Sequence, residues 1–154
     1  MSEISIKSFE PSNEQLFYSM ASIFHESDAV AYGSVNYDAL KTTFNYCINL
    51  SPFIHGYFVC MSGEVCGYAL ITFSYSNEYG GKIMIIDEIY ILDEFRQKGL
   101  ASYFIRCIMS KYKDDVVYVE VEVKKGNEEA INLYKKFEFN FNDYLLMYKF
   151  FNRE

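Results

Sequence analysis

The sequence predicts a mixed β-sheet flanked by helices, and two kinds of hydrophobic periodicity support this prediction. Some segments alternate apolar and polar residues, as half-buried strands do, whereas others repeat apolar residues every three or four positions, as amphipathic helices do. In chain order the elements run β-α-α-β-β-β-α-β-α-β-β. Because three strands follow one another directly, the sequence does not fit the regular alternation of a doubly wound fold.

The first half of the chain contains a strand, two helices and a hairpin. Alternation indicates the first strand, and Pro11-Ser12-Asn13 then breaks the chain and caps the first helix. After a loop at 25–36 the apolar spacing is helical again, and two alternating runs flank the turn residues Ser62-Gly63. These elements are expected at residues 4–9, 15–24, 37–50, 55–61 and 65–74.

The second half begins with an apolar strand and ends with two alternating segments. Between them, Leu100, Phe104 and Ile108 lie on one face of a long helix, and Asn127 caps another helix whose first turn carries two glutamates. Strands are expected at 82–92, 116–123, 139–141 and 144–151, and helices from residue 100 to the Lys-Asp-Asp at 113–115 and from residue 127 onward.

Length and composition favour one domain spanning residues 1–154. Apolar residues make up 51% of the chain and aromatic residues 19%, which excludes a disordered protein. No apolar run approaches the roughly 20 residues of a membrane span, and the N-terminus lacks the layout of a signal peptide, so we expect a cytoplasmic protein without membrane contact. The net charge of −7 argues against nucleic acid as a partner.

The four cysteines predict neither a disulfide framework nor a metal site. If the turn at Ser62-Gly63 has two residues, Cys60 opposes Val65 and Cys66 opposes Val59, which places the two thiols on opposite faces of the hairpin. The sequence has no C-x-x-C pair and no Cys/His cluster with zinc spacing. We therefore expect reduced, buried thiols and no bound metal.

The segment 94–104, EFRQKGLASYF, joins an apolar strand to the long helix and suits an anion. The amides at a helix N-terminus are unpaired and lie at the positive end of the helix dipole. Gly99 lets the backbone approach a ligand closely, and Arg96 and Lys98 add positive charge. Neither the P-loop pattern G-x-x-x-x-G-K-S/T nor the dinucleotide pattern G-x-G-x-x-G occurs, so neither of those phosphate sites is expected.

Three segments resemble the GNAT superfamily of N-acetyltransferases. Residues 96–101, RQKGLA, match its pyrophosphate-binding pattern Q/R-x-x-G-x-G/A, and residues 86–95, IDEIYILDEF, resemble the strand before it. Residues 127–139, NEEAINLYKKFEF, resemble its N-x-x-A-x-x-L-Y-x-K-x-G-F helix, with Glu138 where glycine is usual. The resemblance covers almost the whole chain. It implies a mixed α/β fold with a central, mostly antiparallel sheet of about seven strands flanked by about four helices.

The resemblance also implies acetyl-CoA as the acetyl donor. In this superfamily the loop amides hold the pyrophosphate, the preceding strand pairs with the pantetheine arm as if with an added strand, and the helix-capping asparagine contacts the pantetheine. The matching positions are Arg96, Gln97, Lys98, Gly99, Leu100 and Ala101 in the loop, Ile89, Tyr90 and Ile91 in the strand, and Asn127 at the cap.

A catalytic role for Tyr134 follows from the same resemblance. Acetyl transfer to an amine requires a neutral amine, a polarised thioester carbonyl and protonation of the leaving thiolate. Tyr134 matches the tyrosine of the L-Y pair, which the resemblance implies to be the general acid toward the sulfur. It also falls on the apolar stripe of its helix, so packing is the alternative role.

Asp87 and Glu88 interrupt the apolar strand and resemble the acidic pair of the polyamine-acetylating branch of the superfamily. A carboxylate there would take the proton of the amine or bind an ammonium group, and an ion pair with a neighbouring helix is the alternative. Because neighbouring residues of a strand face opposite sides, we expect only one of the two to point into the site, with Asp87 slightly favoured.

Further acidic residues favour a cationic acceptor. Alternation at 117–123 places Glu120 and Glu122 on one face of a strand, where they are either solvated or line the site. Glu26 and Asp28 lie in the loop between the first two helices, where members of the superfamily contact their acceptor. The resemblance and these acids together predict a small-molecule amine as substrate.

The leading hypothesis is an acetyl-CoA-dependent N-acetyltransferase in which a primary amine of a polyamine, diamine or amino sugar attacks directly. The sequence leaves open acetylation of a protein N-terminus or lysine, and also a non-catalytic acyl-CoA-binding sensor. An anion-binding domain unrelated to CoA is a third alternative. The apolar run at 144–151 is a candidate homodimer interface.

Overall fold

The computed structural model describes residues 3–27 and 35–151. The chain divides into two compact units, Met1–Lys124 and Lys125–Glu154. Within the described ranges, no helix is long and apolar enough to cross a membrane.

The first unit contains five strands and three helices among its described residues. The strands are β1 (Ile4–Ser8), β2 (Ile54–Met61), β3 (Glu64–Ser76), β4 (Gly81–Ile91) and β5 (Tyr118–Val121). The helices are α1 (Glu14–His25), α2 (Tyr37–Ile48) and α3 (Leu100–Tyr112), with short 3₁₀ helices at Pro11–Asn13 and Asp93–Phe95. The second unit contains α4 (Glu128–Lys135).

The strands form one sheet in the order β1-β2-β3-β4-β5. The first four pair antiparallel, and β5 pairs parallel with β4. This arrangement follows from the connections, since short turns join β2, β3 and β4, whereas a parallel neighbour requires a crossover such as α3. The predicted fold class, a mixed and mostly antiparallel sheet with helices, is confirmed.

Each face of the sheet carries its own apolar core. On one face, which we call the α1–α2 face, Phe17 and Phe44 pack with Tyr68 of β3. On the other, the α3 face, Phe104 packs with Met84 of β4 and its neighbours. Because both faces are covered, β2, β3 and β4 read as nearly continuous apolar runs rather than as strict alternation.

β4 contains a β-bulge at Asp87. Glu88 pairs with Leu70 of β3, and Ile86 pairs with the next residue of β3, Ile71. Asp87 therefore has no partner in β3, which is the mark of an extra residue in one strand of an antiparallel pair.

The bulge changes which residues of β4 face α3. Met84 packs into the α3 core before the bulge, whereas Ile89 and Ile91 pack with that core after it. The residues that face α3 are therefore even-numbered before the bulge and odd-numbered after it. Asp87 and Glu88 lie where this change occurs, so both lie on the α1–α2 face. The expectation that only one of the two acids can point to a given side assumed a regular strand, which β4 is not at this position.

The hairpin between β2 and β3 has the predicted two-residue turn, with positive φ angles of 51° and 87° at Ser62-Gly63. Cys60 pairs with Val65 as predicted, but a bulge prevents Cys66 from pairing with Val59. Cys60 packs into the α1–α2 core and Cys66 into the α3 core, so the prediction of opposite faces is confirmed. All four cysteines are free.

The second unit lacks the two predicted C-terminal strands. No strand is present between residues 136 and 151, and Leu145 and Met147 are 92% and 90% exposed. The described residues therefore contain five strands rather than the predicted number of about seven. Apolar and alternating residues make a strand favourable, but a strand forms only where its backbone pairs with a neighbour, and 139–151 pairs with none in the described part of the chain.

α4 ends in a Schellman motif at the position where glycine is usual. Glu138 has a left-handed φ of 65°, and its amide donates to the Lys135 carbonyl at 3.1 Å. The Phe139 amide donates to the Tyr134 carbonyl at 3.2 Å, and the two rings pack with centroids 5.5 Å apart. The left-handed conformation costs a residue other than glycine about 1 kcal/mol, which explains the usual glycine.

Candidate active site

The loop before α3 presents free amides to solvent. Gln97 and Gly99 have positive φ angles of 59° and 78°, which turn the chain just before the helix. No described side chain caps α3, and its first internal bond runs from the Tyr103 amide to the Gly99 carbonyl at 2.9 Å. The first-turn amides, including those of Leu100 and Ala101, have no acceptor within the helix. A Cβ on Gly99 would meet nothing within 4 Å, so the space over the loop is open.

Arg96 and Lys98 brace this loop. The Arg96 amide donates to the Asp93 carbonyl at 3.2 Å, and its Nε donates to the Ile91 carbonyl at 3.1 Å. Its guanidinium pairs with the Asp93 carboxylate at 2.8 Å. The Lys98 ammonium donates to the Glu94 carbonyl at 2.9 Å. Arg96 thus supplies positive charge and rigidity, while its own amide is already bonded.

The outer edge of β4 is open next to the loop. β5 pairs with β4 only over Ile83 to Ile86. Beyond that point Ile89, Tyr90 and Ile91 pair with β3 on one side, and no strand in the described ranges pairs with their other side. An open strand edge is a template to which an extended molecule can add through main-chain hydrogen bonds.

Glu88 is held by two side chains. His25 Nε2 lies 2.8 Å from one carboxylate oxygen, and the Tyr68 hydroxyl donates to the other at 2.6 Å. The hydrogen bond with Glu88 raises the pKa of His25 above its usual value, and burial opposes this rise. Burial and the charge of Glu88 raise the pKa of Tyr68, so its hydroxyl keeps its proton. Since His25 is the last residue of α1, Glu88 makes the contact with a neighbouring helix that the sequence left open.

Asp87 lacks such partners among the described side chains and has a perturbed pKa. Burial raises the pKa of Asp87 to about 6, with the charges of Glu88 and Glu122 adding to the rise and His25 opposing it. Asp87 still has solvent-exposed surface, so its pKa is raised by protein atoms packed around part of the side chain and not by full enclosure. A carboxylate of this kind is ionised at pH 7 yet more basic than an ordinary aspartate.

Glu120 on β5 and Glu122 just after it extend the acidic residues. Val119 packs with the α3 core, so Glu120 faces the α1–α2 side. Glu120 accepts a hydrogen bond from the Tyr118 hydroxyl at 3.0 Å. Glu122 lies one residue beyond β5, and its charge adds to the rise in the pKa of Asp87. The four carboxylates Asp87, Glu88, Glu120 and Glu122 are called the acidic cluster below.

Of the two remaining acids predicted to bind substrate, one lies at the end of α1. Glu26 is exposed, and its amide donates to the Ser22 carbonyl at 3.0 Å. Asp28 lies outside the described residues. Within the residues that the structure describes, no group of three or more His, Cys, Asp or Glu side chains could hold a metal ion.

The second unit contains the predicted capping asparagine and the predicted general acid. The Asn127 side chain caps α4 by accepting a hydrogen bond from the Ala130 amide at 3.2 Å. Tyr134 is buried, and this burial raises the pKa of its hydroxyl to about 12. A hydroxyl with this pKa holds its proton at neutral pH, as a general acid must.

Tyr68 is a residue of this site that the sequence does not reveal. It lies in an apolar run of β3 that reads as core, and nothing in the sequence connects it with Glu88 twenty positions later. The sequence places His25 in a loop, whereas it ends α1. The only available signal was indirect, because a carboxylate in an apolar strand requires hydrogen-bond donors from elsewhere in the chain.

The sequence matches the acetyltransferase (GNAT) family over residues 16–139. The chain belongs to this family. This acetyltransferase is accordingly a transferase that acts as an N-acetyltransferase. A sequence search of curated proteins gives no match.

Solved structures share the fold of this acetyltransferase at low sequence identity. A possible acetyltransferase from Clostridium difficile 630 has a TM-score of 0.81 at 18% identity, covering 98% of this chain and 99% of that chain. AAC(6')-Iy, in complex with the bisubstrate analog CoA-S-monomethyl-acetylneamine, has a TM-score of 0.77 at 13% identity, covering 98% and 100%. Ribosomal-protein-alanine N-acetyltransferase from Brucella melitensis biovar Abortus 2308 has a TM-score of 0.74 at 13% identity, covering 97% and 100%.

Proposed function

We propose that this acetyltransferase transfers an acetyl group from acetyl-CoA to a primary amine of a small cationic acceptor. The observation that carries the proposal is the acidic cluster, in which four carboxylates gather where β5 ends and β4 continues with β3 as its only neighbour in the described sheet. Such a cluster attracts cations. The aminoglycoside N-acetyltransferase AAC(6')-Iy has the same fold, which supports an amino sugar, beside a polyamine or diamine, as the acceptor.

The loop before α3 and the open edge of β4 fit acetyl-CoA, which supplies the acetyl group as a thioester. The free amides of the first turn and the positive charges of the loop suit a pyrophosphate, and the open edge suits the pantetheine arm. The residues proposed to hold it are Arg96, Gln97, Lys98, Gly99, Leu100 and Ala101, together with Ile89, Tyr90 and Ile91 and the capping residue Asn127.

The proposed catalytic roles divide between the acids and Tyr134. Asp87, with its raised pKa, takes the proton of the ammonium group so that the neutral amine attacks directly. Glu88 is bound on both oxygens by His25 and Tyr68, so it contributes negative charge rather than proton transfer. Tyr134 gives a proton to the leaving thiolate and regains one from the attacking nitrogen, which loses its second proton as the tetrahedral intermediate collapses to the amide, so the proton count balances.

The remaining acids are proposed to bind the other positive charges of the acceptor. Glu120 lies on the same face as Asp87, the charge of Glu122 acts on Asp87, and Glu26 is exposed at the end of α1. Asp28 is retained in this proposed set on its sequence position alone.

A protein N-terminus or lysine is the second candidate acceptor. The fold likeness to a ribosomal-protein-alanine N-acetyltransferase favours it, and exposed acids also suit a basic peptide. A non-catalytic acyl-CoA sensor differs from both enzymes in binding acetyl-CoA without turnover.

Thermal unfolding followed by thiol release separates these candidates. Acetyl-CoA is expected to raise the Tm with increasing concentration, because it binds the native state. Thiol release is then measured with spermidine, putrescine, neamine and a basic peptide that carries a free N-terminus and lysines. Release with the small amines alone supports the proposal, whereas release with the peptide alone favours the second candidate. Stabilisation without release favours the sensor, and no stabilisation at millimolar acetyl-CoA contradicts the donor site.

We also infer that residues 1–154 form one N-acetyltransferase domain that works in the cytoplasm as a homodimer. The family match extends into both units, and four free cysteines suit a reducing compartment. The apolar side chains of 144–151 are exposed and would be covered in a dimer. Light scattering at micromolar concentration measures the mass, and a monomer that persists there would contradict the dimer.

A further inference from the structure

His25 is a partly buried, titratable side chain beside the acidic cluster that none of the proposed catalytic steps uses. Its Nε2 lies 2.8 Å from Glu88 Oε1, and the side chains of the two residues are 23% and 14% exposed. A pair that is buried to this extent is screened less by salt than a pair on the open surface. The charge of His25 therefore acts on neighbouring acids more strongly than an exposed charge would.

The imidazole of His25 is held in place by α1 and by aromatic rings around it. His25 is the last residue of α1, and the Phe24 ring packs beside it with centroids 5.8 Å apart. The Phe24 ring also lies 6.4 Å from the ring of Tyr68 and 5.9 Å from that of Tyr90. Because the helix end and these rings restrict the imidazole, its contact with Glu88 is preorganised.

Tyr68 fixes the other half of the Glu88 carboxylate. Its hydroxyl donates to Glu88 Oε2 at 2.6 Å, while Oε1 faces His25. Two carboxylates that share a site tend to hold one proton between them, and the bulge in β4 brings Asp87 and Glu88 to the same face. The bonds from β3 and α1 oppose this sharing, since Glu88 would have to break one of them to turn toward Asp87.

The charges of His25 and Asp87 act on each other. The hydrogen bond with Glu88 raises the pKa of His25, burial opposes the rise, and the charges of Glu88 and Asp87 add to it. Burial and the charges of Glu88 and Glu122 raise the pKa of Asp87 to about 6, and the charge of His25 opposes that rise. The group that β3 contributes is the uncharged hydroxyl of Tyr68. Each charge thus favours the other, and both are present between pH of about 6 and the raised pKa of His25.

We propose that His25 is a positioning residue for acetyl transfer, whose positive charge beside Glu88 keeps Asp87 ionised and ready to take the proton of the acceptor ammonium. Tyr68 supports this role by orienting Glu88 toward the imidazole. The proposal rests on the proposed function, in which Asp87 is the base. His25 exchanges no proton with the acceptor, so the proton balance of the transfer is unchanged.

The His25→Gln variant removes the charge and keeps a side chain that can donate to Glu88. Carbon NMR of the protein labelled at its aspartate carboxyls measures the titration midpoint of Asp87 independently of activity, and Asp87→Asn assigns the signal. The midpoint is expected to rise by about 0.5–1 pH unit, at the low end for a neighbouring charge because the pair is partly exposed. His25→Lys restores a positive charge and should reverse the rise. His55→Gln, at the second histidine of the chain, should cause no rise.

The pH dependence of kcat/KM shows whether this charge serves catalysis. The ratio of the variant rate to the wild-type rate cancels the titration of the acceptor amine, which is common to both enzymes. His25→Gln should be slower by about 1.5- to 3-fold at pH 6.5, which is the loss of ionised Asp87 that such a shift produces. It should approach the wild-type rate at pH 9, where the wild-type imidazole is also neutral.

Three outcomes would overturn the proposal, and they are distinguishable. An unchanged Asp87 midpoint in His25→Gln would overturn it and leave the role of Asp87 as base intact. A rate loss of the same size at pH 6.5 and pH 9 would also overturn it, because it would show that His25 has a structural role alone. If the midpoint rises but the rate ratio does not depend on pH, Asp87 is not the base, and its proposed catalytic role fails together with the positioning role of His25.

Discussion

Replacing Gly99 by glutamate tests the loop before α3, and Gly63 provides a matched control. The two glycines have similar positive φ angles, 78° and 87°, and a Cβ at either one would meet nothing within 4 Å. Each substitution therefore carries only the cost of placing an L-residue in the left-handed region, about 1 kcal/mol. Both variants should lose about 2–4 °C in Tm and remain folded.

The two variants should differ in their affinity for CoA. Glutamate at position 99 adds a negative charge at the place proposed for the pyrophosphate. Two unit charges about 5 Å apart repel by about 0.8 kcal/mol in water and by about 3 kcal/mol near a protein surface. This repulsion corresponds to a Kd increase between about fourfold and about 200-fold, before any steric block is added. Gly63, in the turn between β2 and β3, should give no change.

Calorimetric titration with CoA measures this difference, and Gly99→Ala separates the backbone cost from the charge. The expected order of affinity is wild type and Gly63→Glu first, Gly99→Ala next and Gly99→Glu last. Equal affinities for Gly99→Glu and Gly63→Glu would refute the assignment of the pyrophosphate to this loop.

The other predictions concern the protonation of four side chains and the backbone conformation at one position. Asp87→Asn should lower kcat/KM by about 10²–10³ and abolish the rise of activity through a pH of about 6, read from the pH–rate profile. Tyr134→Phe should lower kcat by about 10–10³ and leave the Kd for CoA unchanged, since only the hydroxyl is removed. His25, whose pKa is raised in the fold, should contribute stability that is present below its usual value of 6.5 and lost as the pH rises through its folded value. His55, whose pKa is lowered, should instead reduce stability as the pH falls below 6.5, and NMR titration should place the two histidines on opposite sides of that value. Glu138→Gly should raise the free energy of unfolding by about 0.5–1 kcal/mol, measured by denaturant titration, because it relieves the left-handed strain.

Each of these expectations has a control and a contrary outcome. Glu78→Gln removes an exposed carboxylate from the turn before β4 and should keep full activity. If it lost as much activity as Asp87→Asn, the loss would not be specific to Asp87. Tyr144→Phe is the control for Tyr134→Phe and should keep full activity. A fully active Tyr134→Phe enzyme would show that Tyr134 packs in the fold and has no catalytic role. Coincident titration of the two histidines would contradict their different surroundings. A less stable Glu138→Gly protein would show that the side chain makes a compensating contact.

The hairpin and the helix cap could be predicted because their signals are local. Ser62-Gly63 adopts the positive φ angles that its residues favour, and Asn127 caps α4 as its position before two glutamates predicts. The order of the helices and strands from β1 to α4 followed from periodicity. Each of these features depends on a few consecutive residues.

The bulge at Asp87 and the missing C-terminal strands could not be predicted, because they depend on partners elsewhere in the chain. An extra residue in β4 is visible only when its register with β3 is known. The same holds for the Tyr68 hydroxyl on Glu88, which joins two strands and one helix. The alternation after residue 139 describes a segment suited to pairing, and it contains no information on whether a neighbour is present.

The extra residue in β4 also constrains how this acetyltransferase can vary. Deleting the extra residue would leave Ile86 opposite Ile71 and Glu88 opposite Leu70, so Ile89, Tyr90 and Ile91 would keep their sides of the sheet and both cores would stay filled. The shorter strand would, however, place one acid on the α1–α2 face at this point instead of two. The second carboxylate therefore depends on the length of β4 and not only on which residues the strand carries.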